Sequence, residues 1–313
     1  MSIVVGVAPG QDNRAAVELG AVLARSYSQK LLLVAINSAA WPPGRISVDA
    51  EYQVFVRRAA RASLDEALVF VPDDLVVDSL VHDAGSSRRG LLEVSERVDA
   101  LRLVVGPAAD GPAGRISLGS VSSGLLHSAE LPVALAPEGF RAEAGARLKR
   151  ITAAYSGSST SANLILGAAI VAADAGTRFR IASFAPKSRV LSAAGIGLEV
   201  EASFIAEWKE TVSRDTSEIL REVEALPTRP ETIDVEFGTG PSWAAALRDM
   251  SWEDPEVMML GSSGLGTLKR VALGSHAVKI LQNSPVPVIV VPRRVKSDYT
   301  AGVFSPRRQQ QRP

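Results

Sequence analysis

The chemistry-bearing segment of this chain is Gly261-Ser262-Ser263-Gly264, nine further residues, and then Gly274-Ser275. Glycine accepts backbone conformations that side chains forbid and lets a ligand approach the main chain. Successive amides in such a loop form a cradle for an anion. Gly274-Ser275 stands where a helical pattern begins, so free N–H groups, a hydroxyl and the helix dipole would meet there and favour a phosphate. Lys269 and Arg270 lie within the same loop. Ser156-Gly157-Ser158, after an earlier apolar run, offers hydroxyls for a ribose or phosphate, or equally a turn with capping serines.

Other chemistries lack their residues. There is no cysteine, so thiol catalysis, disulfides and Cys-ligated metals are excluded. Gly261 and Gly266 have P-loop spacing, but Thr267-Leu268 follows and supplies no lysine. No Gly-x-Ser-x-Gly elbow occurs. His82, His127 and His276 fall in different elements without paired metal-ligand spacing. Asp73-Asp74 and Glu253-Asp254 read as turn residues. No catalytic residue and no metal ligand is assigned.

The elements that must hold the glycine loop alternate along the chain. Apolar runs at 3–8, 31–36, 75–82, 101–106 and 131–137 read as strands. Helical spacing separates them at 13–27, 50–68, 87–98 and 119–128. The order recurs with strands at 151–155, 178–184, 232–237, 257–261 and 286–292, and helices at 161–175, within 200–225, at 242–250 and at 275–283. Apolar strands each followed by a helix predict parallel sheets covered on both faces. The glycine loop then lies at the carboxyl end of a strand, the crevice where open α/β sheets bind ligands.

The recurrence is a duplication. An offset of 155 pairs Gly106 with Gly261, Arg115 with Arg270, Gly119 with Gly274, Ser120 with Ser275, and Pro132 with Pro287, without a gap. At the first strands the offset is nearer 148, which places about seven extra residues of the second copy in the loop 185–197. Residues 1–137 and 150–293 are expected as two domains, 138–149 as the linker, and 294–313 as a disordered, solubilising tail. Each domain should carry its own five-stranded parallel sheet.

Lys plus Arg equals Asp plus Glu at 34 each, which offers no general attraction to nucleic acid or an anionic membrane. No apolar run approaches the ~20 residues of a membrane span, and the N-terminus has no signal-peptide pattern. A cytoplasmic protein is the expectation.

Gly-x2-Gly-x9-Gly-Ser, the duplication and the element order together resemble the universal stress protein family. That resemblance implies two tandem doubly wound α/β domains of the adenine nucleotide α-hydrolase-like kind, and a stress-response regulator or sensor. It implies ATP, with Mg²⁺ as a companion, bound by the second domain through Gly261, Gly264, Gly274, Ser275 and Ser156. It also implies pairing of the two domains as a pseudo-dimer, with 133–136 and 288–291 as contact elements; a homodimer of whole chains is left open. Family members that bind ATP usually carry an Asp near the end of the first strand, where Ala8 and Ser156 stand. In the first copy Ala109 replaces the second glycine, and Pro107 and Pro112 stiffen the loop, which argues against a nucleotide there. The alternative is a structural or interaction module of the same fold with no nucleotide. A slow ATPase is a third reading, opposed by the lack of a residue suited to activate water.

Overall fold

The structure, a computed structural model, describes residues 1–38, 47–109, 111–186, 198–262 and 274–292. The first half runs β1 (Ser2–Val7), α1 (Arg14–Ser26), β2 (Lys30–Ser38), α2 (Ser47–Leu68), β3 (Val77–Ala84), α3 (Ser87–Arg97), β4 (Ala100–Val105), α4 (Ser120–Ser128) and β5 (Val133–Leu135). The second repeats it with β6 (Arg150–Ala154), α5 (Ser159–Asp174), β7 (Arg178–Pro186), α6 (Leu198–Glu224), β8 (Ile233–Gly240), α7 (Trp243–Arg248), β9 (Glu256–Gly261), α8 (Ser275–Asn283) and β10 (Val288–Val291).

Strands β1, β4, β6 and β9 are buried on both faces, which is why their sequences are largely apolar, with Arg102, Arg150, Thr152 and Glu256 as buried polar exceptions. Helices α1, α2, α5 and α6 supply the core on one face, through residues such as Leu19, Leu64, Ile165 and Ile219. Helices α3, α4, α7 and α8 supply the other, through Leu91, Leu125, Leu247 and Leu281. Gly20 sets α1 close against the sheet: a Cβ there would lie 2.5 Å from a Val5 methyl.

Each half is parallel, as expected, and its strand order is 3-2-1-4-5; the expectation of a separate sheet in each half is corrected. The strand order is β3-β2-β1-β4-β5-β10-β9-β6-β7-β8, one continuous ten-stranded sheet. Its centre is an antiparallel join in which Val288, Ile289 and Val290 face Leu135, Ala134 and Val133. The last strands of the two halves are therefore the contact elements, as anticipated, but they meet edge to edge. Pairing satisfies the main-chain groups that either edge would otherwise expose.

The connector 138–149 is docked rather than a free tether. Arg25 holds Asp74 through two bonds, at 2.6 and 2.7 Å, and donates to the Ala146 carbonyl at 3.5 Å. The Leu148 amide donates to Ser26 Oγ at 2.8 Å, and the Lys149 amide to the Pro255 carbonyl at 2.9 Å. Strand β3 begins two residues later than its sequence suggests. It is an edge strand, half-buried along most of its length, so its pattern is weak. Residues 187–197, most of the expected insertion 185–197, and the expected tail 294–313 lie outside the described residues. No described helix is long and apolar enough to cross a membrane.

A buried ionic cluster closes the amino ends of β6, β7 and β9. Arg180, fully buried, donates to Thr152 Oγ1 at 2.9 Å, to Glu256 at 2.8 Å, to the Ser251 carbonyl at 2.6 Å and to Glu236. Its guanidinium lies 4.7 Å from the centre of the Trp252 ring. Arg150 reaches Glu256 from the other side at 2.7 Å.

Candidate functional site

A crevice opens at the carboxyl ends of the first-half strands. It is a cleft of about 320 Å³ between the ends of β1 and β4 and the start of α4. Ile36, Leu91 and Val105 form its apolar wall, each nearly buried. Gly106, Gly119 and Ser120, the counterparts of the second-half signature, all line it. The duplication therefore forms a real opening at the predicted place.

The strand-end positions where a carboxylate was missing share one construction. The Ala8 amide donates to Asn13 Oδ1 at 2.8 Å, and the Ser156 amide to Ser161 Oγ at 3.3 Å. Both bonds span five residues, and 13 and 161 are related by the offset of 148. Asn13 also donates to the Ala8 carbonyl at 3.0 Å and the Gln11 carbonyl at 2.9 Å. This role was not read from sequence; a side-chain oxygen five residues after a strand end in both copies was the signal available.

Ser156 is exposed just past the end of β6, within a serine cluster. Its hydroxyl lies 3.2 Å from Ser158 Oγ and 3.3 Å from Ser161 Oγ. Ser158 is the N-cap of α5. Gly157, at φ 77°, makes the turn that brings the hydroxyls together. The capping-turn reading is therefore present, with Ser156 still reachable from solvent. Tyr155 precedes it, buried, with its phenol pushed up by burial first and then by its partner Asp215 on α6.

Gly261 is the last residue of β9, paired with Val291. A Cβ on it would make only ordinary contact with Leu164, at 3.7 Å. Gly106 stands in the same relation to Ala16, at 3.6 Å. Described packing does not demand glycine at either strand end. Gly274 is the N-cap of α8 and Ser275 its first residue, exposed. In the first half Ser122 Oγ accepts the N-cap amide of Gly119 at 2.8 Å. Ala277 stands at the matching place in α8 and has no such group. The amides at the start of α8 thus lack that side-chain partner, the condition under which a helix N-terminus favours an anion.

The structure brings Gly261, Gly274, Ser275 and Ser156 to the carboxyl end of the second-half sheet. Gly264 lies outside the described residues, as do Lys269 and Arg270. His276 packs its ring against Trp243, with 5.2 Å between centroids, which gives it a structural partner. Among the described residues no group of three His, Cys, Asp or Glu could hold a metal ion.

Residues 1–137 and 147–292 each match the sequence profile of the universal stress protein family. A universal stress protein of Mycobacterium tuberculosis is 34% identical over 296 residues, covering 93% of this chain and all of that protein. A universal stress protein of Archaeoglobus fulgidus shares the fold at TM-score 0.56 and 15% identity, over 93% of this chain and 98% of that one. A putative universal stress protein of Pseudomonas aeruginosa does so at TM-score 0.51 and 17% identity, over 96% and 95%.

Proposed function

The chain belongs to the universal stress protein family as a tandem two-domain member, and on that premise we propose that it is a stress-response regulator binding an adenine nucleotide in its second half. The observation that carries the reading is the start of α8 at Gly274-Ser275, where no described side chain caps the helix, together with the glycine that ends β9 at Gly261. A complete Gly-x2-Gly-x9-Gly-Ser signature joins the two. The first half supports it by showing that this arrangement of elements leaves a cleft.

The residues present fit a nucleotide's phosphates. Gly261, Gly264, Gly274 and Ser275 would offer amides and a hydroxyl, and Ser156 a further hydroxyl from the neighbouring strand end. Lys269 and Arg270 put two cations in the loop, and no acid lies between Gly261 and Ser275. Mg²⁺ would enter on the nucleotide's own phosphates. The role is sensing rather than turnover, because none of the residues assigned here, Gly261, Gly264, Gly274, Ser275 and Ser156, is a base that could activate water. The two halves form the pseudo-dimer within one chain.

Titration calorimetry with ATP tests the reading. Ser275→Ala should weaken binding by roughly 1 kcal/mol, the worth of one hydrogen bond, and by more if the hydroxyl meets a charged oxygen. Ser120→Ala should leave ATP binding unchanged. Equal losses from the two substitutions, or a loss from Ser120→Ala alone, would put the nucleotide in the wrong half for this account.

A further inference from the structure

We propose that α2 is a docking surface for a second copy of this chain, the two α2 helices pairing antiparallel across a twofold axis. Helix α2 packs on β2 and β3, at the outer end of the sheet in the first half. The pairing does not depend on the nucleotide site proposed above.

Exposure marks the surface. Among the described residues, five of the seven large apolar side chains left exposed lie between 52 and 76: Tyr52, Val54, Phe55, Val69 and Val76. Within this set a seven-residue repeat runs along the outer side of α2. Phe55 is 67% exposed, Val69 is 78% exposed, and the exposed Ala62 stands midway between them. Val69 continues the helical turn past Leu68, its amide donating to the Glu66 carbonyl at 3.3 Å. The inward stripe of the helix, through Ala60, Leu64 and Ala67, already fills the core. The outer stripe is thus a second apolar seam, spaced as in paired helices, that the rest of the chain leaves uncovered.

Self-complementarity selects the occupant. Two copies of α2 laid antiparallel about Ala62 bring Phe55 of each against Val69 of the other. The same register brings Arg58 against Glu66, so both ion pairs form together. Arg57 and Arg61 are engaged by Asp83 and Asp65, whereas Arg58 and Glu66 have no ionic partner among the described residues. The two Ala62 side chains meet on the axis, where their small size lets the helices approach. A twofold contact needs a surface that complements itself, and this stripe does so in shape and in charge.

The second half supplies the contrast. Burial sets α6 in register with α2 at a shift of 152, which lays Val212, Thr216 and Ile219 on Ala60, Leu64 and Ala67. The seam positions then fall on Glu207, Arg214 and Arg221, all exposed. The duplicated helix is charged where α2 is apolar, so the seam belongs to the first half alone. Two Phe–Val contacts and two ion pairs make a small interface, and the dimer is therefore weak, with a dissociation constant of about 10–100 µM.

Sedimentation velocity of the full chain from about 1 to about 500 µM tests the pairing. Wild type should pass from monomer to dimer across that range. Ala62→Arg sets two guanidinium groups together on the axis and should weaken the dimer at least about tenfold. Arg58→Glu, which faces acid with acid, should do likewise, and Arg58→Glu combined with Glu66→Arg should restore the dimer to within about threefold of wild type. Arg221→Glu on α6 should change nothing. All these positions are exposed, and a melting temperature within about 2 °C of wild type shows that each variant is folded. A wild type still monomeric at about 500 µM overturns the proposal. So does a dimer that Ala62→Arg leaves intact, or a loss from Arg58→Glu that the double reversal does not restore. A monomer that instead sediments with phosphatidylserine vesicles through Arg58 gives this face to a lipid surface and also overturns it.

Discussion

Replacing Arg180 with Met should lower the unfolding free energy by about 3–5 kcal/mol, the usual cost of removing one partner from a buried ion cluster. The side chain is fully buried and engages Thr152, Glu236, Glu256 and the Ser251 carbonyl. Its loss leaves Glu256, itself fully buried, with Arg150, Thr152 and the Glu253 amide as remaining partners. A carboxylate left short of partners in a dry interior carries the desolvation cost that the cluster had offset. Replacing the cluster as a whole with apolar residues would be far milder, because no orphaned charge remains. Urea unfolding should show a lower midpoint with an unchanged slope. Far-UV dichroism and tryptophan fluorescence should shift together, because the ten strands form one sheet. A loss under about 1 kcal/mol, or two transitions that separate, would contradict the account.

The second large effect is expected at Gly264. Gly264→Val should weaken ATP binding by about a hundredfold, ~2.8 kcal/mol. A branched side chain there would stand between the phosphates and the amides of the glycine loop. The first copy supplies the internal comparison, since Ala109 already occupies the equivalent position. Ala109→Val should therefore leave ATP binding as it is. Isothermal titration of both variants checks this. Wild-type affinity in Gly264→Val would mean that the ligand does not use the loop.

Much of this architecture was legible because burial on both faces leaves no ambiguity of period. The runs Ile3-Val4-Val5 and Val257-Met258-Met259-Leu260 can hardly be anything but central strands. The signature itself was legible because glycine spacing is a property of the chain. The fused sheet was not, because an apolar last strand looks the same whether it packs by its face or pairs by its edge. Arg180 was hidden for a similar reason: in Arg178-Phe179-Arg180-Ile181 a charged residue in a strand reads as a solvated position, and only its fourfold company explains its burial. The bonds from Asn13 and Ser161 to the strand ends depend on a turn whose shape sequence does not specify. The asymmetry between the two copies came from a single pair of residues, Ser122 against Ala277, whose meaning appears once the starts of α4 and α8 are seen.

The central claim is that the two copies have parted in function, with the adenine nucleotide in the second. The stoichiometry of ATP on the wild-type chain, measured by calorimetry with and without Mg²⁺, tests it most directly. One ATP per chain is the predicted result, lost in Gly264→Val and kept in Ala109→Val. No binding at about 1 mM ATP, or two equivalent sites per chain, would contradict it.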